Sequence, residues 1–75
     1  MITAFDDEAL EQLSDWFIRD RKTALRIMRI IKECQRTPFE GIGKPEALKG
    51  NKSDLWSRRI DEEHRMIYKA KKSNL

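Results

Sequence analysis

The stretch that decides the fold is residues 54–70, which reads DLWSRRIDEEHRMIYKA. Two segments in it, Asp54 to Ile60 and Glu63 to Ala70, are rich in aromatic and branched side chains and flank a polar pair at Asp61 and Glu62. This pattern predicts two antiparallel strands joined by a short turn.

Because side chains alternate along a strand, the two faces of this sheet are expected to differ. One face takes the more apolar set and would be covered by helices. The other face gathers cations, namely Arg59, Arg65 and Lys69. Such a face suits RNA, although an ordinary solvated surface has a similar sequence. Arg58 alternates onto the covered face and is expected to be structural, paired with an acid.

Upstream of the sheet, apolar residues recur three and four positions apart and predict two helices. The first follows a plausible N-cap at Asp6 and ends near Asp20. The second begins at Arg21 or Lys22 and ends near Arg36, because Pro38 disfavours helix at Thr37. Its predicted apolar stripe consists of Ala24, Ile27, Met28, Ile31 and Cys34. Phe5, Trp16 and Phe17 are interpreted as core.

Three further segments complete the layout. Ile2 to Phe5 is expected to be a short strand, and Glu46 to Lys49 another. A loop rich in glycine and proline, residues 39–45, precedes Glu46, and residues 50–53 are expected to turn back into the strand at Asp54. The order of strand, helical hairpin and antiparallel sheet predicts a single α+β domain over residues 1–75.

Composition limits the classes of function. A chain of 75 residues buries a thin core, and the lone Cys34 cannot form an internal disulfide. No apolar run is long enough to span a bilayer and the acidic N-terminus does not resemble a signal peptide, so we expect a soluble, cytoplasmic protein.

Charge is divided unevenly along the chain. Residues 1–20 carry six acids and one Arg19, whereas residues 21–75 carry fifteen Lys and Arg and seven acids. A polyanion partner fits the basic part. On charge alone, however, a solvated surface is the simpler interpretation.

Two segments resemble signatures of a known family. Residues 36–49, RTPFEGIGKPEALK, and residues 55–68, LWSRRIDEEHRMIY, are similar in order and spacing to those of YoeB/Txe toxins of the RelE/ParE superfamily. The resemblance implies a RelE-like fold and a toxin of a type II toxin–antitoxin system. It also implies ribosome-dependent cleavage of mRNA by attack of a ribose 2′-oxygen on the adjacent phosphate, with no metal or cofactor.

The family's functional residues carry over onto matching positions. The resemblance implies that Glu46 is the general base and that Arg65 stabilises the phosphate in the transition state. Lys49 and Arg59 match cations around the RNA backbone, although simple solvated charge is an equal alternative for both. His64 would point away from Arg65 and does not match the catalytic histidine, so we expect it to form a structural hydrogen bond. Trp56 is expected to pack rather than to stack on a base.

The family takes its general acid from a histidine followed by a tyrosine on a final strand. Residues 71–74 resemble the turn before that strand, and neither residue type follows them. We therefore expect the last family strand to be absent, which leaves the activity of this chain open. A catalytically impaired homologue that binds antitoxin, ribosome or RNA is the alternative.

Implied partners are a YefM/Axe-like antitoxin, the ribosome and mRNA. Homodimers occur in the family, and nothing in the sequence fixes the oligomeric state.

Overall fold

The computed structural model describes residues 2–50 and 54–70 and has an α+β layout, as predicted. Two helices come first, α1 (Asp7–Arg19) and α2 (Arg21–Arg36). Three strands follow: β1 (Glu46–Ala47), β2 (Leu55–Arg59) and β3 (Arg65–Lys69). They form one antiparallel sheet in the order β1-β2-β3.

The helical hairpin is closed by a single residue, Asp20. Its carboxylate accepts hydrogen bonds from the Thr23 N–H at 3.2 Å and from the Thr23 hydroxyl at 2.7 Å. These bonds cap α2 and lower the pKa of Asp20. Asp6 holds the N-cap position of α1 as predicted, but its side chain makes no capping hydrogen bond.

The core lies where α2 meets the end of β2. Ile30 is fully buried, and Ile27 and Ile60 are 6% and 5% exposed. Partly buried side chains surround them, namely Leu13, Trp16, Ile31, Ile42 and Met66. Ile30 was not in the predicted stripe. The apolar side chains of α2 cover a wide arc of the helix surface. Packing against Ile60 determines which part of that arc is buried most deeply.

Two predictions for the N-terminal part are wrong. Ile2–Phe5 forms no strand, and Ile2 is 95% exposed. A strand needs a neighbour for its backbone groups, and among the described residues the sheet offers none to this segment. Phe5 and Phe17 are not core residues, since they are 40% and 37% exposed. α1 has no buried residue, because it covers the surface of α2 instead of entering the sheet.

The predicted difference between the faces of the sheet is confirmed. In β3, Arg65, Ile67 and Lys69 are exposed, whereas the alternate residues are half-buried. In β2, Arg58 is fully buried and Arg59 is exposed.

All three strands are shorter than predicted, and β1 ends at Ala47. Most of the turn expected at residues 50–53, namely 51–53, and the turn expected at residues 71–74 lie outside the described residues. Within residues 2–50 and 54–70, neither helix has the length and apolar character needed to cross a membrane.

Candidate functional site

A small cavity opens on the uncovered face of the sheet. Its volume is about 60 Å³, and it is lined by Lys44, Glu46, Ser57, Arg59 and Arg65. This volume is far below the roughly 300 to 1,000 Å³ of pockets that enclose a drug-sized ligand. The cavity therefore suits one small group, such as a phosphoryl group, rather than a whole nucleotide.

Strand register brings these side chains together. Glu46 of β1 lies opposite Ser57 of β2, and Arg59 of β2 lies opposite Arg65 of β3. Glu46 and Arg59 are thus diagonal neighbours, which are typically about 7–8 Å apart. The small, buried Ser57 between them leaves room above the sheet.

Arg59 and Arg65 are like charges that lie directly opposite each other on adjacent strands. The Ile60 N–H donates to the His64 carbonyl at 2.9 Å, so the adjacent Arg59–Arg65 pair is a non-hydrogen-bonded one. Side chains in such pairs have Cβ atoms about 4.5–5 Å apart. Two guanidinium groups so placed repel each other unless an anion lies between them.

The charged side chains around the cavity have no ion-pair partner in the described part of the chain. Among the described residues, Lys44, Glu46, Arg59 and Arg65 make no salt bridge. Three cations therefore surround one carboxylate. Chemically, this arrangement can hold an anion against the cations and accept a proton at the carboxylate.

The loop before β1 is fixed from beneath by Arg58. Its Nη1 donates to Glu33 Oε1 at 2.8 Å, and its Nη2 donates to the carbonyls of Thr37 and Glu40 at 2.5 and 2.9 Å. Burial opposes the charge of Arg58, but hydrogen bonds with Tyr68 and Glu33 outweigh this effect and raise its pKa. Arg58 is thus structural and paired with an acid, as predicted.

The other members of this network hold the same loop. The Ile42 N–H donates to Glu33 Oε1 at 2.7 Å, and the Tyr68 hydroxyl donates to the Pro38 carbonyl at 2.6 Å. The Arg59 N–H donates to the Gly43 carbonyl at 2.6 Å. Glu46 therefore enters the cavity from a loop that is bonded to both α2 and β2.

The structure places three of the four sequence-predicted site residues, Glu46, Arg59 and Arg65, around one cavity. Lys49 is exposed, lies two residues beyond β1 and does not line the cavity. Sequence reasoning missed Lys44 and Ser57. Alternation places Ser57 on the face of Arg59, so its position was available from the sequence. Lys44 is in a loop, where no period applies.

His64 and Cys34 have other surroundings. His64 Nδ1 lies 3.0 Å from Asp61 Oδ1, and the His64 ring packs edge-to-face on Trp16 with centroids 4.9 Å apart. His64 is hydrogen-bonded, as predicted. Burial raises the pKa of the Cys34 thiol, which makes it a poor nucleophile. Trp56 packs against Phe39 with centroids 4.9 Å apart, again as predicted.

A larger hollow of about 400 Å³ lies at the end of α2, lined by Glu33, Arg36, Thr37, Glu40 and Gly41. Of its two carboxylates, Glu33 is already bonded to Arg58 and Ile42. The smaller cavity differs in placing one carboxylate beside two arginines.

Fold and cavity together define a small α+β protein with a cation-rich cavity on the open face of its sheet. Residues 5–75 match the model of the YoeB-like toxin of bacterial type II toxin–antitoxin systems, and the chain belongs to this family. Over 66 residues it is 59% identical to Toxin RelK of Mycobacterium tuberculosis, a match that covers 88% of this chain and 78% of that protein. Toxin YoeB of Streptomyces coelicolor is 48% identical over 69 residues, covering 92% and 82% of the two chains.

Solved structures agree with this assignment. A YoeB/ParE toxin from Agrobacterium tumefaciens superimposes with a TM-score of 0.90 at 36% identity, covering 99% of this chain and 84% of that one. YoeB from Staphylococcus aureus, described as a dimer, gives a TM-score of 0.84 at 38% identity, with 91% and 79% covered. The same toxin in a heterotetrameric YoeB–YefM complex gives 0.83. The predicted family and fold class are therefore confirmed.

Proposed function

We propose that this toxin is an endoribonuclease that cleaves mRNA on the ribosome, without a metal or cofactor, and so inhibits translation. The observation that carries the proposal is the grouping of Glu46 with Arg59 and Arg65 around one cavity of phosphoryl size. A carboxylate beside two arginines supplies a proton acceptor next to a phosphate-binding pair.

The proposed reaction begins with the ribose 2′-hydroxyl. Glu46 accepts its proton while the 2′-oxygen attacks the adjacent phosphorus. Arg59 and Arg65 bind the non-bridging oxygens, whose negative charge grows in the transition state. The bond from phosphorus to the 5′-oxygen then breaks, leaving a 2′,3′-cyclic phosphate and, once that oxygen gains a proton, a 5′-hydroxyl.

The two candidate functions differ in whether a general acid is present to protonate the leaving 5′-oxygen. Within the described residues, the cavity is lined by no imidazole or phenol, and His64 is engaged with Asp61. A missing general acid costs about 10²- to 10⁴-fold in rate. The second candidate is therefore a chain that binds antitoxin, ribosome or RNA through the same cationic face without efficient cleavage.

An antitoxin is the expected protein partner. The similar Staphylococcus aureus toxin is described in complex with YefM. In this chain, α1 buries no residue and exposes Leu10 and Ile18 by 53% and 81%, so apolar surface is available to a partner. Lys49 is proposed to contact RNA backbone outside the cavity. A homodimer is proposed from the dimeric relative, and a cytoplasmic location from the ribosomal substrate.

Primer extension on translating ribosomes tests the nuclease proposal. We expect new mRNA ends with the wild-type chain and a loss of about 10²- to 10⁴-fold with Glu46→Gln. Glu8→Gln on α1 is the matched control and should cut normally. Cleavage that is unchanged in Glu46→Gln would contradict the proposed base.

The same preparation separates the two candidate functions. Ribosome binding without cuts by the wild-type chain would reject the nuclease and support the binding function. Cuts by these 75 residues that depend on Glu46 would reject the binding-only function.

A further inference from the structure

Lys44 lines the cavity that holds Glu46, Arg59 and Arg65, yet neither the family resemblance nor the sequence pattern assigns it a role. It lies two residues before Glu46 and on the loop side of the cavity. Arg59 and Arg65 approach from the sheet. Lys44 is therefore the cation that reaches the cavity from a different direction.

The backbone at Lys44 is held in an uncommon conformation. Its φ is +50°, in the left-handed region that side chains rarely adopt. The preceding Gly43, at φ +79°, accepts the hydrogen bond from the Arg59 N–H, and a Cβ on Gly43 would lie 2.7 Å from the Arg59 carbonyl oxygen. The chain is thus pressed against β2 beside Arg59, and Lys44 is fixed next to that arginine. Such strained residues cluster at functional sites.

The fold gains little from the charge of Lys44. Within residues 2–50 and 54–70 it makes no salt bridge, and it is exposed. A third cation beside the two arginines adds further like-charge repulsion in the free protein. Bound phosphate removes that repulsion.

We propose that Lys44 is a phosphate-contacting residue of the RNA site, which donates from its ammonium group to the same phosphate that Arg59 and Arg65 bind. The inference rests on the proposed function in taking RNA as the ligand. It deepens that function by adding a third, loop-borne cation to the two on the sheet.

The test is binding of a trinucleotide with 2′-O-methyl riboses, which cannot be cleaved by 2′-oxygen attack. Affinity is measured for wild type, Lys44→Met and Lys44→Arg over a range of salt concentrations. Loss of one phosphate contact should reduce the slope of log K against log[salt] by about 0.7 for single-stranded RNA. Lys44→Met should also weaken binding several-fold, and equally for different base sequences. Lys44→Arg should keep the wild-type slope.

Two controls separate a phosphate contact from net charge and from folding. Lys32→Met removes one exposed cation of α2 and should leave the slope unchanged. Lys44→Gly relieves the left-handed backbone, so its Tm should not fall although its binding does.

A Lys44→Met slope equal to that of wild type overturns the inference, and so does an equal loss in Lys32→Met. Because the probe is not cleaved, wild type that cuts no mRNA would reject the nuclease without affecting this result.

Discussion

Arg58 and Arg59 are neighbours in the sequence, but they lie in opposite surroundings. Arg58 is fully buried and donates to Glu33, Tyr68 and the carbonyls of the loop beneath β2. Arg59 is exposed, lies directly opposite Arg65 and makes no salt bridge with any described residue. On the covered face of β2, the Arg58 guanidinium stabilises the fold. On the uncovered face, the Arg59 guanidinium is exposed and accessible to a ligand.

The largest expected effect is a loss of stability when Arg58, on the covered face of the sheet, is replaced. Arg58→Met leaves the half-buried Glu33 without its cation and three loop carbonyls without a donor. Each buried acceptor left unsatisfied costs about 1–3 kcal/mol, so we expect a total loss of about 3–5 kcal/mol. That is a large share of the roughly 4–11 kcal/mol typical of a chain this size. Urea denaturation should show a mostly unfolded or strongly destabilised protein. Arg59→Met is the matched control, and an equal loss in both variants would erase the contrast between the two faces.

The second effect should be a loss of activity without a loss of stability. Arg65→Met removes half of the proposed phosphate-binding pair and should slow mRNA cleavage by about 10²- to 10³-fold. It also ends a like-charge contact with Arg59, so the folded state should gain roughly 0.2–1 kcal/mol. Cleavage kinetics and thermal melting of the same sample measure both. A variant that loses activity together with stability would indicate a structural role for Arg65.

This contrast shows which features of the fold and the site could be predicted from the sequence. Period-two alternation separates Arg58 from Arg59 without any structure, and it places Arg65 on the face of Arg59. The end of α2 followed from Pro38 in the same local way. These features depend on residues close in the sequence, and their prediction was correct.

The features that sequence reasoning missed depend on distant contacts. Ile30 is buried because of Ile60, and Ile2–Phe5 is not a strand because the described sheet gives it no neighbour. Lys44 reaches the cavity because Gly43 bonds to Arg59, sixteen positions further along the chain. Neither the periodicity of a segment nor the spacing within a motif predicts contacts between residues so distant in the sequence.

The third effect compares two glycines that both have positive φ. Gly43 is pressed against β2, whereas a Cβ on Gly50 would meet nothing within 4 Å. Gly43→Ala should therefore cost about 1–3 kcal/mol, from backbone strain and a clash with the Arg59 carbonyl. Gly50→Ala should cost about 1 kcal/mol, from backbone strain alone. Urea midpoints measure the difference, and equal values would mean that the loop is not held against β2 as described. Gly43→Ala should also reduce cleavage, because it displaces the loop that carries Glu46.

The smallest expected effect is a pH dependence of stability that arises from Glu33, the carboxylate on α2 that pairs with the buried Arg58. The Ile42 N–H, followed by the Arg58 guanidinium, lowers the pKa of Glu33 from its ordinary value of 4.5. A lowered carboxyl pKa stabilises the folded state above the unfolded pKa, and this contribution is lost as pH falls through the folded pKa. The urea midpoint of the wild type should thus fall more steeply below about pH 4.5 than that of Glu33→Gln, which has no proton to gain. Some slope should remain in the variant, because hydrogen bonds also lower the pKa of Asp20 and Asp61. The difference should survive 1 M salt, since a hydrogen bond is its main cause and salt screens charges. Parallel curves would show that Glu33 is not held by Ile42 and Arg58 in solution.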